Sequence, residues 1–123
     1  MSGRKSSVIV GGSSGIGFAV AQALAARGET IVLTSRDAGR AEAAAHKIGG
    51  DAVGLAFDLA EPHAIAGKLA GIGAVDHLVV PSIERDRNSV KEYDVGRAIR
   101  LATMKLVGNV EVVHTLLPRL TYG

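Results

Sequence analysis

Gly11-Gly12-Ser13-Ser14-Gly15-Ile16-Gly17 stands directly between two contrasting segments. Before it runs Ser7-Val8-Ile9-Val10, short, β-branched and apolar on both faces. That composition suits a buried parallel strand. After it, Phe18 to Arg27 is rich in Ala and Leu, and Gly28 follows. Such a run forms a helix, and the glycine ends it. The opening unit is therefore a strand, a glycine loop and a helix.

Working outward, the same alternation repeats. Thr30 to Thr34 reads as a second strand. Asp37 is a natural N-cap for a helix from Ala38 to Ile48, closed by Gly49-Gly50. Ala52 to Phe57 reads as a third strand, closed by Asp58. Glu61 or Pro62 opens a third helix to about Ala70, with proline favoured in the first turn. Asp76 to Val80 is a fourth strand. Residues 82–91 are charged and aperiodic, which predicts a surface loop. A long helix is then expected from about Glu92 to Leu117. Its apolar positions Val95, Ile99, Ala102, Leu106, Val110, Val113 and Leu117 make one continuous face, which is expected to be core.

The order β-α-β-α-β-α-β-α predicts an α/β fold: a Rossmann-type parallel sheet with helices on both faces. The expected strand order is 3-2-1-4, with the fourth strand an unpaired apolar edge. The chain has 123 residues, which fits one domain over 1–123. With 47% hydrophobic but only 3% aromatic residues, the core must be built from Ala, Val, Leu and Ile.

Several classes fall away. Net charge is +2, from interspersed rather than clustered charges, so no nucleic acid is expected as a partner. The absence of cysteine excludes disulfides and thiolate metal sites and is compatible with a cytoplasmic location. His46, His63, His77 and His114 are scattered without ligand spacing, so no metal is expected. Arg4 and Lys5 before an apolar stretch imitate a secretory signal, but glycines and serines interrupt the stretch. No run of about 18 apolar residues is present, and no membrane partner is expected.

The loop carries the chemistry. Gly11 permits the tight turn out of the strand, Gly15 lets backbone approach a pyrophosphate, and Gly17 is expected to let the helix pack on the sheet. The helix start offers unpaired N–H groups and a positive dipole end to phosphates. Ser13, Ser14 and Ile16 complete the expected dinucleotide contacts. Sites that prefer NAD place a carboxylate at the end of the second strand. Here Ser35 and Arg36 stand there instead. A guanidinium can pair with a 2′-phosphate, so NADP(H) is expected over NAD(H). Asp58, followed by Leu59, is either an acceptor for an adenine amino group or a cap for the next helix. Arg85, Arg87, Lys91, Arg97 and Arg100 are expected on a solvated loop and helix face, interleaved with acids.

These residues resemble the short-chain dehydrogenase/reductase family. The likeness rests on Val10 to Gly17, Thr34-Ser35-Arg36, Asp58-Leu59 and Val75-Asp76-His77-Leu78-Val79-Val80. Leu116-Leu117-Pro118-Arg119-Leu120 looks like the end of that family's fourth helix, so the resemblance spans essentially the whole chain. It implies hydride transfer between a nicotinamide and a carbonyl or alcohol substrate. It also implies a homodimer or higher homo-oligomer, because the family's fourth helix packs against a twin.

The departures are specific. The family begins its loop with Thr, where this chain has Val10. It carries Asn-Asn-Ala-Gly after the fourth strand, where this chain has Val80-Pro81-Ser82-Ile83. The family loop lies over the adenosine side, which makes Val80 and Pro81 expected cofactor neighbours. Counted back from Pro118, the family's catalytic-helix Asn falls at Lys105. The family's Tyr, followed four residues later by Lys, has no counterpart: Arg97 follows Tyr93 at that spacing, and Tyr122 is next to last. No catalytic residue is assigned.

The chain stops where the family's fifth strand begins, so it is expected to be the cofactor half of a longer enzyme. A truncated relative that dimerises, or a pair of polypeptides, are the alternatives. A non-catalytic dinucleotide-binding sensor or scaffold is the second functional reading. An adenosylmethionine methyltransferase is the third, and Ser35-Arg36 speaks against it because that fold wants an acid there.

Overall fold

The computed structural model of the chain describes residues 4–81 and 89–121. The elements run β1 (Ser6–Ile9), α1 (Gly15–Ala26), β2 (Thr30–Ser35), α2 (Ala38–Ile48), β3 (Val53–Ala56), α3 (Pro62–Lys68) and β4 (His77–Val79). A last helical segment follows: α4 (Val95–Ala102), a π-helical stretch (Thr103–Gly108), α5 (Asn109–Leu116) and a 3-10 turn (Leu117–Arg119). The four strands are parallel in the order β3-β2-β1-β4, the order expected.

Side-chain alternation along β1 explains the layering. Val8 and Val10 face one side and Ile9 the other, all essentially inaccessible. Ile9 joins Ile31, Leu33 and the α1 and α2 residues Ala21, Ala41 and Ala44. Val8 and Val10 join Phe57, Leu59, Ile65, Leu69, Met104, Val112 and Leu116. Alanine dominates the first layer, which lets α1 and α2 sit close to the strands. Asp37 caps α2 as expected, accepting from the Arg40 amide at 2.9 Å.

Two expectations fail in the last helical segment. It begins at Val95 rather than Glu92, because the Asp94 carboxylate accepts from the Gly96 and Arg97 amides. Glu92 is held instead in a turn, its amide donating to Ser89 Oγ at 3.0 Å. Part of the expected loop, residues 82–88, lies outside the described residues, together with Arg85 and Arg87.

The face expected to be core is also the wrong one. Val95, Ile99, Ala102, Leu106, Val110, Val113 and Leu117 are exposed. Met104, Gly108, Val112 and Leu116 are buried. These recur at a step of four. In an ideal α-helix that step drifts by about 40° each time. The wider winding of Thr103–Gly108 offsets the drift and keeps the row on one face. The stripe that repeats at 3.6 residues is the more hydrophobic one, and it faces solvent.

The outer side of β4 is not wholly bare. Leu120 makes a parallel bridge to Val75. The Val75 amide donates to the Arg119 carbonyl and the Thr121 amide to the Val75 carbonyl, at 2.8 and 2.9 Å. Asp76 joins both sides, accepting from the Ser6 amide and from Thr121 Oγ1. Chain leaving the last helix thus begins to add to the sheet beside β4.

At this same amino-terminal end of the strands lies a polar cluster that sequence spacing did not reveal. Glu29 is buried; Ser7 Oγ donates to its Oε1, and His77 Nδ1 lies 3.0 Å from the same oxygen. The three residues are 22 and 48 positions apart in sequence and meet because β1, β2 and β4 are neighbours.

Candidate functional site

The carboxyl ends of β1, β2 and β3 open into a cleft of about 430 Å³. That lies within the range of about 300–1,000 Å³ common for small-ligand sites. It is placed beside the point where strand order reverses between β1 and β4, where open α/β sheets bind ligands. Its lining combines Val10, Gly11, Ser13, Ser14, Gly15, Ile16 and Gly17 with Thr34, Ser35, Arg36, Phe57, Asp58, Leu59, Pro81, Arg100 and Met104.

The glycine loop is tied to β2 by three bonds. The Gly12 amide donates to the Thr34 carbonyl at 2.9 Å, and the Gly11 amide to Thr34 Oγ1 at 3.2 Å. Ser13 Oγ donates to Ser35 Oγ at 3.3 Å. Gly15 has φ +59°, a left-handed conformation that opens α1 and is costly for other residues. A Cβ on Gly17 would stand 2.5 Å from the Gly11 carbonyl oxygen. The close approach at Gly17 is thus to the loop itself, not to the sheet as expected. The residue pressed against the sheet is Gly12, whose added Cβ would meet Leu33 Cβ at 2.8 Å.

Ser14 is the N-cap of α1 but makes no side-chain capping bond, and the first turn carries no acid. The leading N–H groups of this helix therefore have no cap from Ser14 and face an anion-compatible cleft. Arg36 stands at the end of β2 on the cleft rim.

Asp58 plays the capping role expected of it and makes a second contact that the sequence did not show. Its Oδ1 accepts from the Ala60 amide at 2.9 Å, which shapes the approach to α3. Arg100 grips both oxygens, Nη1 to Oδ2 at 2.9 Å and Nη2 to Oδ1 at 3.1 Å. Burial alone would raise the Asp58 pKa. The Arg100 and Ala60 hydrogen bonds, with the charges of Arg100 and Arg36, outweigh it and hold the carboxyl below its ordinary value. Arg100 was expected on a solvated face; it is instead half-buried in an ion pair in the cleft wall. Nothing local to Arg100 signals this, since its partner is 42 residues away.

All residues expected at a cofactor line the cleft except Val80. Val80 packs against the core behind it. Lys105 is exposed on the π-helical stretch and does not line the cleft, nor does Tyr93. Phe57 and Met104 line it without having been singled out by the sequence. Among the described residues no group of acids and histidines could hold a metal ion. Among them, too, no helix is long and apolar enough to cross a membrane.

The family model described as short chain dehydrogenase matches residues 5–123. The chain belongs to the short-chain dehydrogenase family. Among curated proteins it is similar to bovine (Bos taurus) 3-oxoacyl-[acyl-carrier-protein] reductase, 38% identical over 88 residues, covering 68% of this chain and 37% of that protein. Among solved structures it resembles L-sorbose reductase from Gluconobacter frateurii complexed with NADPH and L-sorbose. That match has a TM-score of 0.83 at 27% identity and covers 94% of this chain and 47% of the other. It also resembles a metagenomic short-chain oxidoreductase in complex with NADP. There the TM-score is 0.81 at 29% identity, covering 94% of this chain and 56% of the other. The chain spans about half or less of the length of most of these relatives.

Proposed function

We propose that this chain is the NADP(H)-binding part of a short-chain oxidoreductase that moves a hydride between nicotinamide and a carbonyl or alcohol substrate. The observation that carries the reading is the cleft itself. A glycine loop and an α1 N-terminus without a side-chain cap lie on one side, and Arg36 takes the place of a ribose-binding carboxylate on the other. The loop would hold the pyrophosphate through backbone N–H groups. Arg36 would pair with the 2′-phosphate, and Asp58 with Leu59 would border the adenine. Two similar structures, solved with NADPH and NADP, support the same preference.

Self-association fits this reading. The exposed stripe Ile99, Leu106, Val110, Val113 and Leu117 suits a second copy of the chain, as apolar patches of this kind mark interfaces. Replacing Arg36 with Glu tests the cofactor reading. Loss of a charge-assisted pair should weaken NADPH binding about 10- to 100-fold. NADH binding should be unchanged or improved. An unaltered NADPH-to-NADH ratio would overturn the role of Arg36.

A further inference from the structure

The segment Asp58-Leu59 at the end of β3 is held from one side by a single row of residues. Arg100, Met104 and Gly108 recur at a step of four along the last helical segment. Arg100 grips the Asp58 carboxylate with two bonds. Met104 is buried and lines the cleft beside it. Gly108 lies against the Leu59 backbone so closely that an added Cβ would overlap the Leu59 carbonyl. The π-helical stretch keeps these three in line; without it the row would drift away. A helix far along the chain thus fixes both residues that border the expected adenine.

The carboxylate is held with capacity to spare. An ionised carboxylate offers about four lone-pair directions. Among the described residues, Oδ1 accepts from the Ala60 amide and Arg100 Nη2, and Oδ2 accepts from Arg100 Nη1. One acceptor direction on Oδ2 is left over, on a residue of the cleft wall.

We propose that Arg100 is a positioning residue for base specificity: its two-point grip orients Asp58 so that the leftover acceptor on Oδ2 takes a hydrogen bond from the adenine amino group. The inference rests on the dinucleotide reading above. Arg100 does not touch the base; it acts by fixing the plane of the Asp58 carboxylate through its two-point grip. A base with a carbonyl in place of the amino group presents an acceptor to this acceptor and is rejected.

The test compares NADPH with its reduced hypoxanthine analogue, which differs at that one group. Dissociation constants are measured by fluorescence on the purified protein and its Arg100→Met, Arg100→Lys and Asp58→Asn variants. The unaltered protein should favour NADPH about tenfold. Arg100→Met should bring the ratio to about two or less, and Asp58→Asn should do the same. Arg100→Lys keeps the charge but loses the two-point grip, so it should fall between. A merely structural Arg100 would weaken both cofactors equally and leave the ratio intact, and that result overturns the proposal. If Arg100→Met does not fold, the ratio in Arg100→Lys decides: no change from the unaltered protein refutes it. Equal binding of both cofactors by the unaltered protein refutes the proposal and leaves the dinucleotide reading standing. Failure to bind either cofactor removes that reading itself.

Discussion

Gly17→Ala should separate the loop's geometry from the fold's stability. The new Cβ would stand 2.5 Å from the Gly11 carbonyl oxygen and 3.1 Å from Gly12 Cα. Ordinary contact begins near 3.4 Å, so the loop and the first turn of α1 must part by about 0.9 Å. Both obstructing atoms belong to backbone, and the Gly11 and Gly12 amides are tied to Thr34, so relief by a side-chain rotation is unavailable. Overpacking of this kind costs about 1–3 kcal/mol. For a domain of this size that lowers Tm by about 5–12 °C. A shift approaching 1 Å in a phosphate cradle should also cost binding: losing a backbone hydrogen bond to the charged pyrophosphate, about 1.5–3 kcal/mol, weakens NADPH about 10- to 100-fold. The assays are thermal unfolding followed by circular dichroism and NADPH titration at a temperature where the variant is folded. Unchanged Tm together with unchanged affinity would refute the closed-loop geometry. A loss of Tm with intact affinity would refute the loop's role in binding.

Glu29 gives a pH signature. Burial alone would raise its pKa, but the Ser7 and His77 hydrogen bonds and the charges of His77 and Arg27 hold it below the ordinary glutamate value. A lowered carboxylate contributes stability that is complete above its unfolded value and is lost as pH falls through its folded value. Chemical denaturation between pH 7 and pH 3 should therefore show a loss of stability on the acid side that Glu29→Gln reduces; equal slopes in the two proteins would contradict the cluster. Leu106→Glu combined with Val110→Glu should dissociate an oligomer, read by sedimentation, while Tm at monomer concentrations stays within a few degrees. A fall of more than about 10 °C would mean that this stripe is core after all. Leu116→Ala lies on the opposite, fully buried face and should cost about 2–5 kcal/mol in denaturant unfolding. A cost under 1 kcal/mol would contradict the assignment of faces.

Most of the sheet could be read from the sequence because its signals are local. Apolar β-branched runs, glycine stops and the Asp37 cap each act within a few residues. The glycine loop was legible for the same reason, although the close approach to the sheet expected of Gly17 is made by Gly12. The last helix was misread because two faces competed. Leu106 and Val110 are the more hydrophobic, but the buried row contains Gly108, whose value lies in having no side chain against Leu59. Asp58–Arg100 and Ser7–Glu29–His77 were out of reach of spacing rules. Their partners, 22 to 70 positions apart, meet only through the folding of the chain, Asp58–Arg100 at the carboxyl ends of the strands and Ser7–Glu29–His77 at the amino ends.

The most direct measurement is a calorimetric titration of the purified protein with NADPH, NADH and S-adenosylmethionine in turn. The cleft lined by the glycine loop and Arg36 predicts saturable one-to-one binding of NADPH, at least about tenfold tighter than NADH, and none of S-adenosylmethionine. Binding of S-adenosylmethionine in place of NADPH, or equal affinity for the two nicotinamide cofactors, would contradict it.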